Sequence, residues 1–326
     1  MKVTILGAGA WGTALGLVLH RRKHEITLWG HDASHLAELR HSGGNARHLP
    51  GVTVPRDWNF EPDFARATAA PEALIVAIPS KAVPAVAARL RHYDGLLISV
   101  TKGIDCQTGL TMCGILHQAA PSARVAALSG PTLAFEVAKG VPTAIVAASR
   151  EATTAQQAQQ LFHSSLLRVY TSADLVGVEM GGALKNVVAI AAGVAEGLGF
   201  GDNSKAALLT RGIVEIRRLG VACGAQGETF AGLSGLGDLT VTCFSRLSRN
   251  RSLGERLGRG EKLETILANS RSVAEGYPTA RSAYNLARKL GVSTPIIDEV
   301  HAVLYGGKNV ARALQDLIGR ESKAED

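Results

Sequence analysis

The chain opens with an apolar, β-branched run that leads into three glycines and then into an apolar helical pattern, "VTILGAGAWGTALGLVLH" over residues 3–20. Gly7, Gly9 and Gly12 have the spacing G-x-G-x-x-G. Between a strand and a helix, such glycines allow a tight turn, close approach of backbone amides to a pyrophosphate, and close packing of the helix on the strand. The stretch therefore predicts a parallel sheet with a dinucleotide-binding turn at its edge.

Strands alternate with helices over roughly the first half of the chain. Continuous apolar runs such as "ALIVAIP" and "LLISV" are typical of parallel strands buried on both faces. After the first strand, the patterns predict strands at 25–30, 73–79, 96–100, 123–131 and 142–148, and helices at 81–92 and 151–165. This alternation predicts a doubly wound α/β sheet of the Rossmann type.

The pattern changes near residue 174. Beyond it no strand is convincing, and helical patterns cover residues 205–224, 252–260, 279–291 and 296–306. We therefore predict two domains, a Rossmann-type domain of residues 1–174 and an all-α domain of residues 175–326.

Composition narrows the class of protein. The net charge is +7, but the basic residues are scattered and aromatic residues make up only 5%, so we expect no nucleic-acid partner, and an anionic small substrate explains the positive balance equally well. No apolar run has the length and continuity of a membrane span, so we expect no membrane insertion. Four cysteines without C-x-x-C spacing, and an N-terminal apolar run too short for a signal peptide, predict reduced thiols in a cytoplasmic protein.

The end of the second strand bears on cofactor choice. NAD-specific sites usually place an acid there to bind the ribose 2′-hydroxyl, but this strand ends "TLWGHD", with Gly30 and His31 at that point. Asp32 comes slightly later and is equally suited to be a helix N-cap. His31 could face a 2′-phosphate, so NADPH is favoured over NADH without exclusion of either. His31 and His35 share one helical face but lack a third ligand, which predicts surface histidines and no metal site.

Two loops follow strands on the edge where ligands gather in doubly wound sheets. One carries Lys102, and the other carries Gly130 and Thr132 before a helix. At this point Lys102 is either a solvated loop lysine or a contact to a phosphate or carbonyl oxygen. Thr132 is either a plain helix cap or a ligand contact, and the two roles are compatible.

A single lysine interrupts an otherwise small and apolar helix, "GGALKNVVAIAAG" over residues 181–193. Lys185 could extend along apolar surface to reach water, or it could serve chemistry. Gly181 and Gly182 would leave room for substrate and a second element, or simply for tight packing. Downstream, the segment 233–254 offers Asp238 and Arg249, whose planar guanidinium suits phosphate.

In chain order, the motifs "GAGAWGTALG", "TKGI", "SGPT", "GALKNVVAIAAG", "LGDLTVTC" and "SRN" are similar to those of the NAD(P)-dependent glycerol-3-phosphate dehydrogenases, most closely the soluble bacterial type. The resemblance covers nearly the whole chain. It implies an N-terminal Rossmann domain, an α-helical C-terminal domain, and interconversion of dihydroxyacetone phosphate and sn-glycerol 3-phosphate, which supplies the backbone of glycerophospholipids.

The resemblance also implies roles for individual residues, with Lys185 as the catalytic proton acceptor in alcohol oxidation. Substrate-binding positions implied by the motifs are Lys102, Gly130, Thr132, Lys185, Asp238, Ser248, Arg249 and Asn250. Cofactor-binding positions, including the glycine turn, are Gly7, Gly9, Ala10, Trp11, Gly12, His31, Lys102, Ala134, Arg249, Val273 and Glu275. Ala10 departs from the family, where serine is common, and a side-chain hydroxyl to the cofactor is lost there.

These roles give a specific geometric expectation. Lys185 should lie in the cleft between the domains, within hydrogen-bonding reach of Asp238, and its pKa should be lowered by apolar surroundings and by Lys102 or Arg249. The alternatives are a related two-domain hydroxy-acid dehydrogenase, a non-catalytic nicotinamide redox sensor, and a catalytically dead scaffold. A homodimer is possible.

Overall fold

The computed structural model describes residues 1–269 and 274–321. The strands are β1 (Lys2–Leu6), β2 (Glu25–Trp29), β3 (Gly44–Asn45), β4 (Leu49–Thr53), β5 (Asn59–Glu61), β6 (Ala73–Val76), β7 (Leu96–Ser99), β8 (Arg124–Ser129), β9 (Thr143–Ala148) and β10 (Leu167–Ser172). The α-helices of the first half are α1 (Ala10–Arg21), α2 (Ala33–Ser42), α3 (Phe64–Thr68), α4 (Val83–Ala87), α5 (Met112–Ala119), α6 (Ala134–Lys139) and α7 (Ala152–Phe162). Those of the second half are α8 (Leu175–Gly197), α9 (Asp202–Ala222), α10 (Asp238–Phe244), α11 (Arg249–Gly258), α12 (Leu263–Ala268), α13 (Gly276–Leu290), α14 (Pro295–Gly306) and α15 (Val310–Ile318).

The predicted doubly wound sheet is confirmed. Eight strands lie in the order β10-β9-β8-β7-β6-β1-β2-β5, and every neighbouring pair is parallel except β8 and β9. Several details differ from the sequence patterns, which did not reveal α3, α5 or the antiparallel pair β3–β4. The predicted helix 81–92 is divided, because 3₁₀ turns flank the five-residue α4. The strands β5 and β10 lie at the two edges of the sheet, where an apolar run is not required, and the patterns did not reveal them.

The strand order reverses at β1, which lies between β2 and β6. A crevice opens at the carboxyl ends of the strands at such a point, and this is where ligands bind in open α/β sheets. Gly7 leaves β1 with a φ of +131°, and a Cβ at this position would lie 2.3 Å from the carbonyl oxygen of Ala77, which follows β6. Only glycine fits this turn.

The second half is built around α8. Helices α9, α10, α11, α13 and α14 contact α8, and most of its residues are buried. The crossing with α11 is very close: a Cβ at Gly193 would lie 2.0 Å from the carbonyl oxygen of Arg251, and a Cβ at Gly254 would lie 2.0 Å from that of Ile190. Glycines on both helices thus bring the two backbones into contact.

One expectation about α8 was wrong. This helix of 23 residues is long and apolar enough to cross a membrane, judged by length and composition alone. We had expected no apolar run with the length and continuity of a membrane span. The surrounding helices bury 89% of its most apolar window. This burial accounts for its composition.

The predicted domain boundary falls where the sheet ends and α8 begins. β10 ends at Ser172, and the Asp174 carboxylate caps α8 by accepting a hydrogen bond from the Gly177 amide at 2.9 Å. The other Asp174 oxygen accepts hydrogen bonds from the Gln226 amide and the Thr229 hydroxyl. The division at residues 174 and 175 stays a prediction.

Candidate active site

Lys185 lies in a buried charge cluster. Its amine is 2.9 Å from one carboxylate oxygen of Asp238 and donates a hydrogen bond to the Thr242 hydroxyl at 2.6 Å. The other Asp238 oxygen pairs with the amine of Lys102. Asp238 is 1% exposed, so two lysines share one buried carboxylate. Each charge has a partner, which burial requires, and the cluster keeps one excess positive charge.

Glycines place Asp238 against α8. The segment "SGLGD" forms a π-helical turn at Leu233–Gly237 that continues directly into α10 at Asp238. A Cβ at Gly181 would lie 2.6 Å from the carbonyl oxygen of Ser234, and a Cβ at Gly182 would lie 2.5 Å from the Ser129 hydroxyl. Of the two roles expected for these glycines, close packing against a second element is confirmed, and room for substrate is wrong, because protein atoms fill that room. Their smallness lets α10 and the sheet approach the lysine.

The environment prepares the Lys185 amine for proton transfer. Burial, helped by the nearby Lys102 cation, lowers its pKa to about 8, although the Asp238 carboxylate acts in the opposite direction. Near neutral pH this amine is therefore far closer to its titration range than a surface lysine is. A group with such a pKa can both accept and donate a proton.

The loops after β7 and β8 converge beside this cluster. The Lys102 amine and the Thr132 hydroxyl both donate hydrogen bonds to the carbonyl oxygen of Gly130, at 3.0 and 3.1 Å. The Lys102 side chain is only 17% exposed, so it is not a solvated loop lysine. Helix α6 begins at Ala134 with Leu133 at its N-cap position and no side-chain cap. The interpretation of Thr132 as the cap is wrong, since it bonds to the preceding loop.

The glycine turn has the form that a pyrophosphate requires. Gly9 is the N-cap of α1, no side chain caps the helix, and a Cβ at Gly9 would meet nothing within 4 Å. A Cβ at Gly12, in contrast, would lie 2.0 Å from the carbonyl oxygen of Gly7, so that glycine serves packing. Ala10 and Trp11 begin α1 and are partly buried. The open helix N-terminus fits the phosphates of a nicotinamide dinucleotide.

Known proteins match this chain over almost its whole length. The family described as NAD-dependent glycerol-3-phosphate dehydrogenase matches with its N-terminal part at residues 2–155 and its C-terminal part at residues 174–315. The glycerol-3-phosphate dehydrogenase [NAD(P)+] of Chlorobium phaeobacteroides is 43% identical, covering 100% of this chain and 99% of that protein. The enzyme of that name from a Geobacter species is 44% identical, covering 99% and 98%. The crystal structure of glycerol-3-phosphate dehydrogenase from Coxiella burnetii superposes with a TM-score of 0.94 at 34% identity, covering 98% and 99%.

The chain belongs to the NAD-dependent glycerol-3-phosphate dehydrogenase family. In this dehydrogenase, the predicted substrate residues Ser248, Arg249 and Asn250 lie at the start of α11. Ser248 is the N-cap, and its hydroxyl accepts a hydrogen bond from the Arg251 amide at 3.2 Å. Arg249 is exposed. Its guanidinium makes no hydrogen bond or ion pair with residues 1–269 or 274–321.

Asn250 and Glu275 form side-chain hydrogen bonds that join different elements of the dehydrogenase. The Asn250 amide donates to the Asn186 side-chain oxygen at 2.7 Å and accepts from the Gly276 amide at 2.9 Å. The Glu275 carboxylate accepts from the amide and hydroxyl of Ser80, at 3.2 and 2.6 Å. Burial raises the pKa of Glu275, and the Ser80 donors and the Arg249 cation oppose this. Ser80 follows β6, so this contact joins the helical half to the nucleotide edge of the sheet.

At the end of β2, His31 is exposed and Asp32 is the N-cap of α2. The Asp32 carboxylate accepts hydrogen bonds from the Ser34 hydroxyl, the His35 amide and the Arg47 guanidinium, and these donors hold its pKa well below its usual range. The acid near the predicted ribose position is therefore already satisfied, and a guanidinium lies next to it.

The expectation that His35 is a surface histidine is wrong. His35 is 5% exposed, its Nε2 lies 3.3 Å from the Ala8 carbonyl oxygen, and its ring packs edge-on against that of His48. Packing behind the glycine turn explains its burial. In the part of the chain that the structure describes, no group of three or more His, Cys, Asp or Glu residues could hold a metal ion.

Sequence reasoning missed several residues of the site. Thr242 and Asn186 stand inside the motifs "LGDLTVTC" and "GALKNVVAIAAG", so their adjacency to Asp238 and Lys185 was available as a signal. Arg47 and Ser80 had no such signal, because only the fold brings them to the cofactor edge. Val273 lies outside the described residues.

Proposed function

We propose that this chain interconverts sn-glycerol 3-phosphate and dihydroxyacetone phosphate, with Lys185 as proton acceptor in alcohol oxidation and proton donor in ketone reduction. The observation that carries this proposal is the buried Lys185 amine, 2.9 Å from Asp238 and joined through that carboxylate to Lys102. The nicotinamide, when bound, supplies or accepts the hydride. Family membership favours this reaction over the hydroxy-acid, sensor and scaffold alternatives.

The charge cluster provides what the reaction needs from the protein. During ketone reduction the substrate oxygen gains negative charge, and the protonated Lys185 stabilises that charge and delivers the proton. Asp238 and the Thr242 hydroxyl hold the amine in one orientation before the substrate arrives. In the oxidation direction, the neutral amine removes the hydroxyl proton.

Substrate binding is assigned to the cations and small residues around this amine. Arg249, at the N-terminus of α11, presents a guanidinium that suits a phosphate dianion, and the helix N-terminus adds a favourable dipole. Lys102, Gly130 and Thr132 form the wall that belongs to the sheet. Ser248 and Asn250 complete the phosphate end.

We assign the cofactor to the crevice beside Gly7, Gly9, Ala10, Trp11 and Gly12, with NADPH preferred over NADH. The Asp32 carboxylate is engaged by three donors, one of which is the Arg47 guanidinium at 2.9 Å, and His31 is exposed. The Arg47 cation would favour a 2′-phosphate, with His31 as a further contact. The remaining cofactor contacts proposed are Lys102, Ala134, Arg249, Val273 and Glu275.

Substitution of Lys185 by methionine tests the catalytic role. Lys185→Met should lower kcat by roughly 10²–10⁴-fold, the usual contribution of general acid–base catalysis, with cofactor affinity nearly unchanged. Lys205→Met is a matched control, because Lys205 is also buried and pairs with Glu196 at 2.9 Å but does not face Asp238. Turnover and NADPH binding are measured for both. Near-normal turnover in Lys185→Met, or an equal loss in the control, would overturn the assignment.

The pH dependence supplies a second test. Because the pKa of Lys185 is about 8, kcat/KM for oxidation should rise as pH increases through about 8, and kcat/KM for reduction should fall over the same range. Asp238 raises that pKa, so Asp238→Asn should move both transitions to lower pH. An unchanged transition in Asp238→Asn would show that another group titrates.

The proposed reaction leads to further proposals about substrate, cofactor, location and oligomeric state. Assays of the purified chain with dihydroxyacetone phosphate, using NADPH and NADH in turn, separate this reaction from 2-hydroxy-acid oxidation and measure the cofactor preference. We propose a cytoplasmic enzyme that supplies glycerol 3-phosphate for glycerophospholipid synthesis. All four cysteines are free thiols, which suits a reducing compartment. A homodimer stays a prediction, and light scattering during gel filtration would test it.

A further inference from the structure

A cavity of about 460 Å³ lies between α8, α9, α14 and α15, outside the proposed catalytic site. Its walls are mostly apolar, among them Ile190 and Val194 of α8, Leu208 of α9, Val300 of α14, and Leu314 and Leu317 of α15. The volume is within the range of small-molecule sites. The walls suit a hydrocarbon, but they leave open which end group an occupant would carry.

The polar groups of the cavity indicate which end group could bind there, and most of them already have partners. The Glu215 carboxylate accepts hydrogen bonds from the amides of Ile296 and Ile297, and Glu299 pairs with Lys308. Arg218 donates to the carbonyl oxygen of Ser293. Glu321 stands at the exposed end of the described chain. These groups are therefore either engaged or in solvent.

Arg211 differs from them. It lines the cavity from the middle of α9, is partly buried, and makes no hydrogen bond or ion pair with the residues that the structure describes. Arg320 also lines the cavity and has no such partner within the described ranges. An unpaired guanidinium in an apolar wall suits a planar carboxylate, which it can bind through two parallel hydrogen bonds.

We propose that this cavity binds a fatty acid of about the length of laurate, with the hydrocarbon chain between the four helices and the carboxylate against Arg211. The proposal is independent of the reaction at Lys185. A second copy of the chain covering the cavity is an outcome that the test distinguishes.

The test is a calorimetric titration of the full chain with laurate below its micelle concentration. Laurate should bind saturably with one site per chain, whereas acetate, which lacks the chain, and dodecanol, which lacks the charge, should bind at least about tenfold more weakly. Arg211→Ala should weaken laurate binding by about tenfold. Arg217→Ala is the matched control, because Arg217 lies on the same helix but does not line the cavity. The affinity of this variant for laurate should equal that of the wild type.

Ala207→Trp provides a steric test. Ala207 lines the cavity but is solvent exposed, so a large side chain there should fill the space without unfolding the protein, and laurate binding should be lost. Absence of saturable laurate binding, equal affinity for dodecanol, or unchanged affinity in Ala207→Trp would each overturn the proposal. Conversion of a dimer to a monomer by Ala207→Trp, measured by light scattering, would identify the cavity as a contact between copies and overturn it as well.

Discussion

The glycine turn at the carboxyl end of β1 and the glycines of α8 use the absence of a side chain for opposite purposes. At Gly9 the missing side chain leaves open space, and a Cβ there would meet nothing within 4 Å. At Gly181, Gly182 and Gly193 the missing side chain is replaced by other protein atoms between 2.0 and 2.6 Å from the Cβ position. The first arrangement reserves room for a ligand, and the second positions the catalytic helix. A glycine motif in sequence does not distinguish the two.

The largest effect should come from Gly193→Ala. The added Cβ would lie 2.0 Å from the backbone oxygen of Arg251. A backbone atom cannot avoid this clash by a side-chain rotation, so we expect the free energy of unfolding to fall by about 3 kcal/mol. Urea denaturation measures it. Gly306→Ala is the matched control: this helical glycine has nothing within 4 Å of its Cβ position, and alanine should be neutral or stabilise by up to about 1 kcal/mol. Equal stabilities for the two variants would show that α8 and α11 do not cross so closely.

Gly9→Ala should have a smaller effect, and on a different quantity. The backbone at Gly9 (φ −79°) suits alanine and the space is open, so stability should change little while the Kd of the dinucleotide rises by about tenfold, or about 1.4 kcal/mol. Fluorescence titration with NADPH measures the Kd.

Gly201→Ala controls the Gly9 experiment. Gly201 is also a helix N-cap with φ −84° and open space around its Cβ position, but it begins α9, in the helical half. NADPH affinity should be unaffected by this substitution. A similar loss of affinity in both variants would mean that replacing any N-cap glycine weakens NADPH binding. The loss in Gly9→Ala would then not come from a clash between the alanine and the cofactor.

Gly182→Ala should have a much smaller effect on stability than Gly193→Ala. Its Cβ would lie 2.5 Å from the Ser129 hydroxyl, a side-chain atom that can rotate, and alanine is the better helix former, so the free energy of unfolding should change by less than about 1 kcal/mol. The Lys102 stem is 3.6 Å from the same point, an ordinary van der Waals contact, so kcat should stay near the wild-type value. Adding Ser129→Ala removes the obstructing oxygen and should recover any stability that is lost. A large loss of stability that Ser129→Ala does not recover would place the cause elsewhere.

The sequence predicted those parts of the molecule that local patterns control. The strand–glycine–helix context of Gly7, Gly9 and Gly12 was sufficient for the sheet. The apolar setting of Lys185 left its role open, and the expectation of an amine near Asp238 came from the family resemblance. Burial of His35, the bridge from Asn250 to Asn186, and the contact between Glu275 and Ser80 could not be predicted in this way. Each depends on segments that are distant in sequence and meet only after the sheet and the helices have packed.

The sharing of Asp238 has a consequence for how activity arises. Lys102 reaches this carboxylate from a loop of the sheet, and Lys185 reaches it from α8. Neither half of the chain, taken alone, holds all three groups whose balance sets the basicity of the amine. Competence for proton transfer therefore emerges only on docking of the halves, and a chain interrupted between them would have to reassociate before it could turn over substrate.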